Sequence, residues 1–375
     1  MGDDKFSGDL WYVINNAGDV PSPALLIYPD RIEYNIREMI SIAGDVDLIR
    51  PHVKTHKMAG IIRLQMKYGI YKFKCATIAE AEMVAGCGAS DILLAYQPVG
   101  PNIDRFFHLK HKFPDIKISC IADSEEVIRQ LSETARIKGI ETHIWLDINN
   151  GMNRTGVAPG EDAARLYKLI TDLPMLRAEG LHVYDGHIHE KDFSVRQRMC
   201  NDAFAPVINL IEKLKKLSNS PLIVVAGGTP TFPVHAGRGG VETSPGTLLL
   251  WDYGYSTSFS EMNFLHAAVL LMRIISKPYD NLICLDLGHK AIASEMPQPR
   301  IKILGLDNYK IISHNEEHIV ICTAEAVNMK IGDVLYGIPY HICPTVDRYD
   351  LVTVVKEGKA SEQWNIEARR RKITL

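Results

Sequence analysis

The feature that most constrains the fold of this 375-residue chain is a regular alternation of two textures. Short apolar runs recur near 46–50, 72–76, 91–96, 117–122, 142–148, 179–185, 221–226 and 246–251. Stretches with helical spacing lie between most of them, at 58–68, 78–85, 102–110, 124–138, 161–171 and 193–217. Few of the runs alternate apolar with polar residues, as expected of strands covered on both faces. Eight such strands joined by helices imply an α/β chain built on a (β/α)8 TIM-like barrel. The connection from Thr229 to Ser244 is loop-like, so that unit is irregular. An open, doubly wound sheet is the competing arrangement, but no glycine-rich dinucleotide fingerprint follows the first strand.

Two further segments flank the alternation. Ala24–Tyr28 is expected to be a strand, followed by a helix capped by Asp30 and running to Ala43. After Tyr255 long helical periods stop. Runs at 268–275, 282–285, 302–304, 318–322, 334–336 and 351–355 are short and separated by turn residues, which predicts a β-rich domain. The expected division is an N-terminal segment, 1–22, packing with the β domain; a barrel, 23–255; and a β-rich domain, 256–375. The basic tail, Arg369 to Lys372, is expected to be a solvated end.

Composition narrows the function classes. With 42 basic and 45 acidic residues the net charge is −3, which gives neither nucleic acid nor a membrane surface much to bind. No run reaches the roughly 20 apolar residues of a membrane span. The acidic start, MGDDKFSGDL, lacks the basic-then-apolar order of a signal peptide. Seven scattered cysteines do not form a disulfide framework, so a reducing, cytoplasmic setting is expected.

The ends of the expected strands carry the chemistry. RPHVKTHK, Arg50 to Lys57, packs two lysines, two histidines and an arginine into a strand-to-helix turn. It is either a solvated basic turn or a lysine that forms a Schiff base, with cationic neighbours that lower its pKa or meet a phosphate. DINNGMNRTG follows the fifth strand with Asp147, Asn150, Asn153 and Arg154. YDGHIHE follows the sixth with Tyr184, Asp185, His187, His189 and Glu190. AGGTPTF follows the seventh, and ETSPGT precedes the eighth run. Each of the last two is a tight turn or a place where backbone N–H groups approach a phosphate. In the β-rich domain, HICPT spaces His341 and Cys343 two apart. On a strand this would point two good zinc donors one way, or else leave a buried cysteine beside a surface histidine.

RPHVKTHK, Asp147-x-x-x-Gly151-x-x-Arg154, VYDGHIH, GGTPTF, ETSPGT, DLGHK and HICPTV occur in that order over nearly the whole chain. The set resembles the D-threonine aldolase and D-serine dehydratase group of pyridoxal-phosphate enzymes, of the alanine-racemase-like fold. The resemblance implies that Lys54 holds pyridoxal 5'-phosphate. It implies that Arg154 and Tyr184 lie around the pyridine ring and its hydroxyl. Gly228, Thr229, Ser244, Gly246 and Thr247 are then the phosphate cradle. His341 and Cys343 are the pair for a divalent metal (Zn, Mn or Mg), and His189, or failing that His187, is the base. It also implies a homodimer acting on a small D-3-hydroxy amino acid. The implied reaction is retro-aldol cleavage, of D-threonine to glycine and acetaldehyde. The alternatives are dehydration of D-serine or D-3-hydroxyaspartate, racemisation, and non-catalytic cofactor carriage.

Overall fold

The computed structural model describes residues 10–216 and 221–375. The first nine residues of the expected N-terminal segment, and the expected end of the 193–217 helix, lie outside the described residues. The chain separates into two contact-dense units. One takes the chain up to Ile36 together with Thr247–Ile366, and the other takes Arg37–Gly246 with Glu367–Leu375.

In chain order the elements are β1 (Ala24–Ile27), α1 (Pro29–Ala43), α2 (Ala59–Lys67), β2 (Lys72–Cys75), α3 (Ile78–Gly86) and β3 (Asp91–Leu94). Then come α4 (Pro101–Lys112), β4 (Lys117–Ala122), α5 (Glu125–Lys138), β5 (Thr142–Ile148), α6 (Glu161–Asp172) and β6 (Leu176–Val183). They are followed by α7 (Phe193–Lys215), β7 (Ile223–Ala226), α8 (Phe232–Ala236), β8 (Val241–Thr243) and α9 (Tyr253–Ser258). Asp30, expected to cap the first helix, lies instead in the first turn of α1, whereas α3 and α7 begin at side-chain caps. Thr77 accepts from the N–H of Glu80 at 3.1 Å to start α3, and Asp192 accepts from that of Val195 at 2.9 Å to start α7.

Strands β2 to β8 form a seven-stranded parallel sheet in sequential order, curled into a barrel. The eighth place holds no regular strand. The expected strand at 46–50 is a 3-10 turn, Val46–Leu48, followed by an extended segment. That segment bridges both edges: Ile49 pairs with Thr243 and His52 with Lys74. Its backbone bonds run from Arg50 N–H to Thr243 O (2.9 Å), His52 N–H to Pro245 O (2.8 Å) and Lys74 N–H to Pro51 O (2.9 Å). The expected strand at 246–251 is likewise a short 3-10 helix, Thr247–Leu249, and the true β8 lies inside the stretch expected to be a loop. ETSPGT therefore runs off the C-terminal end of β8, the same end as the other polar turns.

The barrel interior is layered, as period-two strands require. At the N-terminal ends, Arg50 donates to Asp91 (2.7 and 3.1 Å) and to Glu242 (2.7 Å), and Lys72 donates to Glu242 at 2.9 Å. Lys117 and His143 both meet Glu179 there. Above this ionic floor Leu93, Ile121, Trp145 and Val225 pack together. Trp145 is fully buried and its indole N–H finds Ser119 Oγ at 2.9 Å; truncating such a side chain costs about 3–5 kcal/mol. The next inward positions, towards the C-terminal ends, are polar, and the site is built on them.

The other unit is a nine-stranded sheet that adds β9 (Ala268–Tyr279), β10 (Leu282–Leu285), β11 (Ile301–Leu304), β12 (Lys310–His314), β13 (Ile319–Cys322), β14 (Val334–Pro339), α10 (Ile342–Val346), β15 (Leu351–Lys356) and β16 (Lys359–Asn365). β1, expected inside the barrel portion, lies between β9 and β15 of this sheet. Tyr12, Ile14 and Val20 pack in one cluster with Leu26, Tyr28, Val269, Leu271 and Tyr336.

Candidate active site

Lys54 owes its position to a tight turn. His52 caps a one-turn 3-10 helix, Val53–Thr55, by accepting from the Lys54 N–H through Nδ1 at 3.3 Å. Burial, with the charges of Lys54 and Lys74, pushes the His52 imidazole far down, so the ring stays neutral and can accept. The turn sorts its two lysines. Lys57, at φ 55°, donates to Glu80 at 2.8 Å, and Glu80 is held in turn by the Ala76 N–H at 2.6 Å. Among the described residues Lys54 has no such partner, and its Nζ lies 5.6 Å from the centroid of the Tyr184 ring.

Two more cations meet that ring. Lys74 Nζ is 5.5 Å and Arg154 Cζ 4.9 Å from its centroid. None of the three forms an ion pair among the described residues. Cations that gather without forming ion pairs make a receptor for an anion. The solvated-turn reading of RPHVKTHK fails on this point, since Arg50, His52, Thr55 and His56 are buried.

Each neighbouring loop is shaped to bring its residues here. After β5, Asn149 Oδ1 accepts from the N–H groups of Gly151 (3.1 Å) and Asn153 (3.0 Å). Gly156, at φ 92°, passes so close that a Cβ would lie 2.6 Å from Asn149 N. Arg154 is exposed at the tip of this fold-back. Beneath it, His182 Nδ1–H donates to Asp147 at 2.7 Å. Burial lowers the His182 pKa and outweighs Asp147; burial works against the Asp147 carboxylate, but His182, Thr155 and Arg154 together hold it low, so the pair is a carboxylate and a neutral imidazole. His182 Nε2 and Asn150 Oδ1 are buried polar atoms without a partner among the described residues.

Tyr184 stands between two glycines. A Cβ on Gly186 would come within 2.5 Å of its ring, and one on Gly228 within 3.1 Å. Behind it, Asp185 accepts from Thr231 Oγ1–H at 2.7 Å and from His235 Nε2–H at 2.8 Å, with Cys200 Sγ 3.5 Å away. Asp185, Cys200 and His235, all buried, could hold a metal ion, but burial pushes the Cys200 thiol up to about 12, so an ion would first have to displace that proton. As hydrogen-bonded, the group ties the loop after β6 to the loop after β7.

The two glycine loops are joined as well. Gly246 N–H donates to Thr229 Oγ1 at 3.2 Å, Gly228 N–H to Thr231 Oγ1 at 3.3 Å, and Ser244 Oγ–H to Arg50 O at 2.8 Å. A Cβ on Gly246 would sit 2.8 Å from His52 O, so this loop presses on the Lys54 turn. His187 is half-buried against Gly151, where a Cβ would be 3.0 Å from its Nε2, whereas His189 is exposed. The two follow β6 in a turn, not on an extended stretch sharing one face.

In the β-rich unit, His341 and Cys343 are not on a strand. His341 is the N-cap of α10 and Cys343 lies in its first turn. His341 Nδ1–H donates to Glu295 at 2.5 Å, Cys343 hydrogen-bonds the same ring, and Thr247 Oγ1 lies 3.6 Å from Cys343 Sγ. Burial works against the imidazolium, yet Cys343 and Glu295 prevail and raise it to about 9. Buried Asp252 accepts the Ile342 N–H at 3.0 Å and so fixes the start of α10. An imidazole oriented by a carboxylate beside a thiol is a donor set that suits a divalent ion.

The chain spans nearly the full length of its relatives. It is 26% identical to a D-threonine aldolase of Arthrobacter sp. over 356 residues, 93% of each chain. It is 27% identical to a 3-hydroxy-D-aspartate aldolase of Paracoccus denitrificans (strain Pd 1222), over 94% of this chain and 92% of the other. The crystal structure of D-threonine aldolase from Filomicrobium marinum superposes with a TM-score of 0.87 at 26% identity, over 95% of this chain and 97% of that one. Residues 267–355 match a putative serine dehydratase domain. Residues 27–253, which hold the curled barrel and the cation-lined ring of Tyr184, match the alanine racemase N-terminal domain, and the chain belongs to that family.

Proposed function

We propose that this protein is a pyridoxal-phosphate- and metal-dependent lyase that cleaves D-3-hydroxy amino acids, D-threonine to glycine and acetaldehyde. The observation that carries the reading is Lys54: an amine without an ion pair among the described residues, set by a buried turn beside Tyr184, Lys74 and Arg154. Pyridoxal phosphate fits this arrangement. It brings an aldehyde for Lys54, a flat ring for the glycine-flanked Tyr184, and negative charge for the unneutralised cations. Bound there, it supplies the electron sink for breaking a bond at Cα. The Gly228–Thr229 and Ser244–Gly246–Thr247 loops are the proposed cradle for its phosphate. Arg154 is the proposed partner of its ring hydroxyl.

The remaining work falls to the chain. Lys54 would hold the cofactor through its side-chain amine. His189 takes the β-hydroxyl proton; His187, wedged against Gly151, is the alternative. A placed histidine is typically worth about 10²–10⁴-fold in such a step. His341 and Cys343 would hold the divalent ion, which supplies Lewis acidity at the β-oxygen. The likeness to two named aldolases over nine-tenths of the chain supports cleavage over dehydration. A homodimer in a reducing, cytoplasmic setting is part of the proposal; all seven cysteines are free thiols. Among the described residues no helix is long and apolar enough to cross a membrane.

The test is a panel of D-3-hydroxy amino acids with their L-enantiomers, assayed for glycine, aldehyde, 2-oxo acid and ammonia. Glycine with an aldehyde from D-substrates alone is expected. A 2-oxo acid with ammonia and no glycine would replace cleavage by dehydration.

A further inference from the structure

Lys74 has no counterpart in the roles above. It occupies an inward position of β2 and is 2% exposed. Its period-two neighbour Lys72 is neutralised by Glu242 at 2.9 Å. Lys74 forms no ion pair among the described residues, and its Nζ is as near the Tyr184 centroid as that of Lys54, at 5.5 against 5.6 Å. The charged and titratable groups that face it come from the closing segment and from the ends of β5 and β6. Arg50, His52 and Lys54 belong to the closing segment and its turn, Asp147 to β5, His182 to β6, and Asp185 to the loop beyond, with Arg154 over the same ring. Burying an amine among more cations than carboxylates is costly unless the amine can shed its proton. A strand lysine needed only for packing would pair, as Lys72 does.

We propose that Lys74 is a second working amine of the site, one that exchanges a proton with Cα of the bound amino acid. This rests on the lyase reading above. In cleavage the β-hydroxyl gives up a proton and the Cα–Cβ bond breaks, its electron pair staying on the Cα side. The Lys74 ammonium then gives a proton to Cα, forming the new C–H bond of glycine and leaving a neutral amine, which solvent reprotonates. With glycine alone the neutral amine takes a Cα proton and returns one from solvent. Burial first, and then the charge of Lys54, push Lys74 down to about 7 against Asp147 and Asp185, so both forms are present near neutral pH.

The test uses cofactor-loaded Lys74→Met and Lys74→Arg. Exchange of the glycine Cα protons with D2O is followed by proton NMR, apart from cleavage. Both variants should keep the visible colour of the bound cofactor and its borohydride adduct on Lys54. Both should lose roughly 10²–10⁴-fold in exchange, along with the rise in exchange through pH 7. A readout independent of turnover is adduct mapping in Lys54→Ala: borohydride with pyridoxal phosphate should label Lys74, the next amine on that ring. Exchange within about threefold of the parent, with the same pH profile, overturns the proposal; so does an adduct on any other lysine. If the Met variant does not fold, the Arg variant and the adduct decide. A parent that exchanges glycine protons but cleaves no D-3-hydroxy acid refutes the aldolase reading and leaves Lys74 in place. A parent that cleaves while its Lys74 variants exchange normally refutes Lys74 alone.

Discussion

Arg50 is the place where stability and site geometry meet. It is fully buried, forks onto Asp91 and reaches Glu242, and its own N–H and C=O hold the closing segment to Thr243 and Ser244. Arg50→Met removes the charge and keeps most of the volume. Glu242 then retains Lys72, and Asp91 retains only Lys117 at 3.7 Å. Removing one partner of a buried ion network costs about 3–5 kcal/mol, because the others are left uncompensated. For a unit of this size that lowers the melting temperature by roughly 6–20 °C, at 2–4 °C per kcal/mol. Cofactor affinity should fall too, because Lys54 is held by the same segment. Thermal melts followed by circular dichroism, with and without pyridoxal phosphate, measure both effects. Adding Asp91→Asn should restore about 0.5–3 kcal/mol, since it removes the carboxylate left with only the distant Lys117. A single variant that melts within about 2 °C of the parent, or a double variant less stable than Arg50→Met, would refute this account of how the barrel is closed.

Two further outcomes follow from the sites. Borohydride reduction of the loaded protein should place the adduct on Lys54, because Lys57 is held by Glu80 at 2.8 Å; peptide mapping reads this directly, and an adduct on Lys57 would contradict it. Chelation should stop turnover but leave the colour of the bound cofactor, and Cys343→Asp should shift the preference towards harder ions such as manganese; full activity of metal-free protein would exclude a role for His341 and Cys343 in holding an ion.

Much of the barrel was legible because helices announce themselves through spacing and caps. The expected helices at 78–85 and 124–138 differ from α3 and α5 by a residue or so at an end. The strands that failed are those whose form depends on partners. Val46–Ile49 and 246–251 are apolar enough to be strands, but the sheet is completed by two isolated bridges and by Val241–Thr243, three residues whose role is set by their neighbours. β1 falls within the range 23–255 expected for the barrel, and only pairing with β9 and β15 assigns it to the other sheet. β12 and β16 are exposed edge strands with too few apolar residues to stand out. His341 and Cys343 were singled out by residue type, although the backbone under them is a helix start, where a two-residue spacing has a different meaning. Lys74 was missed because a lysine in an apolar run reads as an exposed residue. The signal was its inward parity with Lys72 in KFKC, two charges on the buried face of one strand.

The central claim is that the bond between Cα and Cβ is the one that breaks. D-threonine carrying carbon-13 at both positions tests it in a single carbon NMR experiment on the loaded, metal-supplemented enzyme. Cleavage separates the two labels, so the Cα doublet should collapse to the singlet of glycine while a separate acetaldehyde singlet grows. A doublet that persists in a 2-oxo acid would show the bond intact and contradict the account.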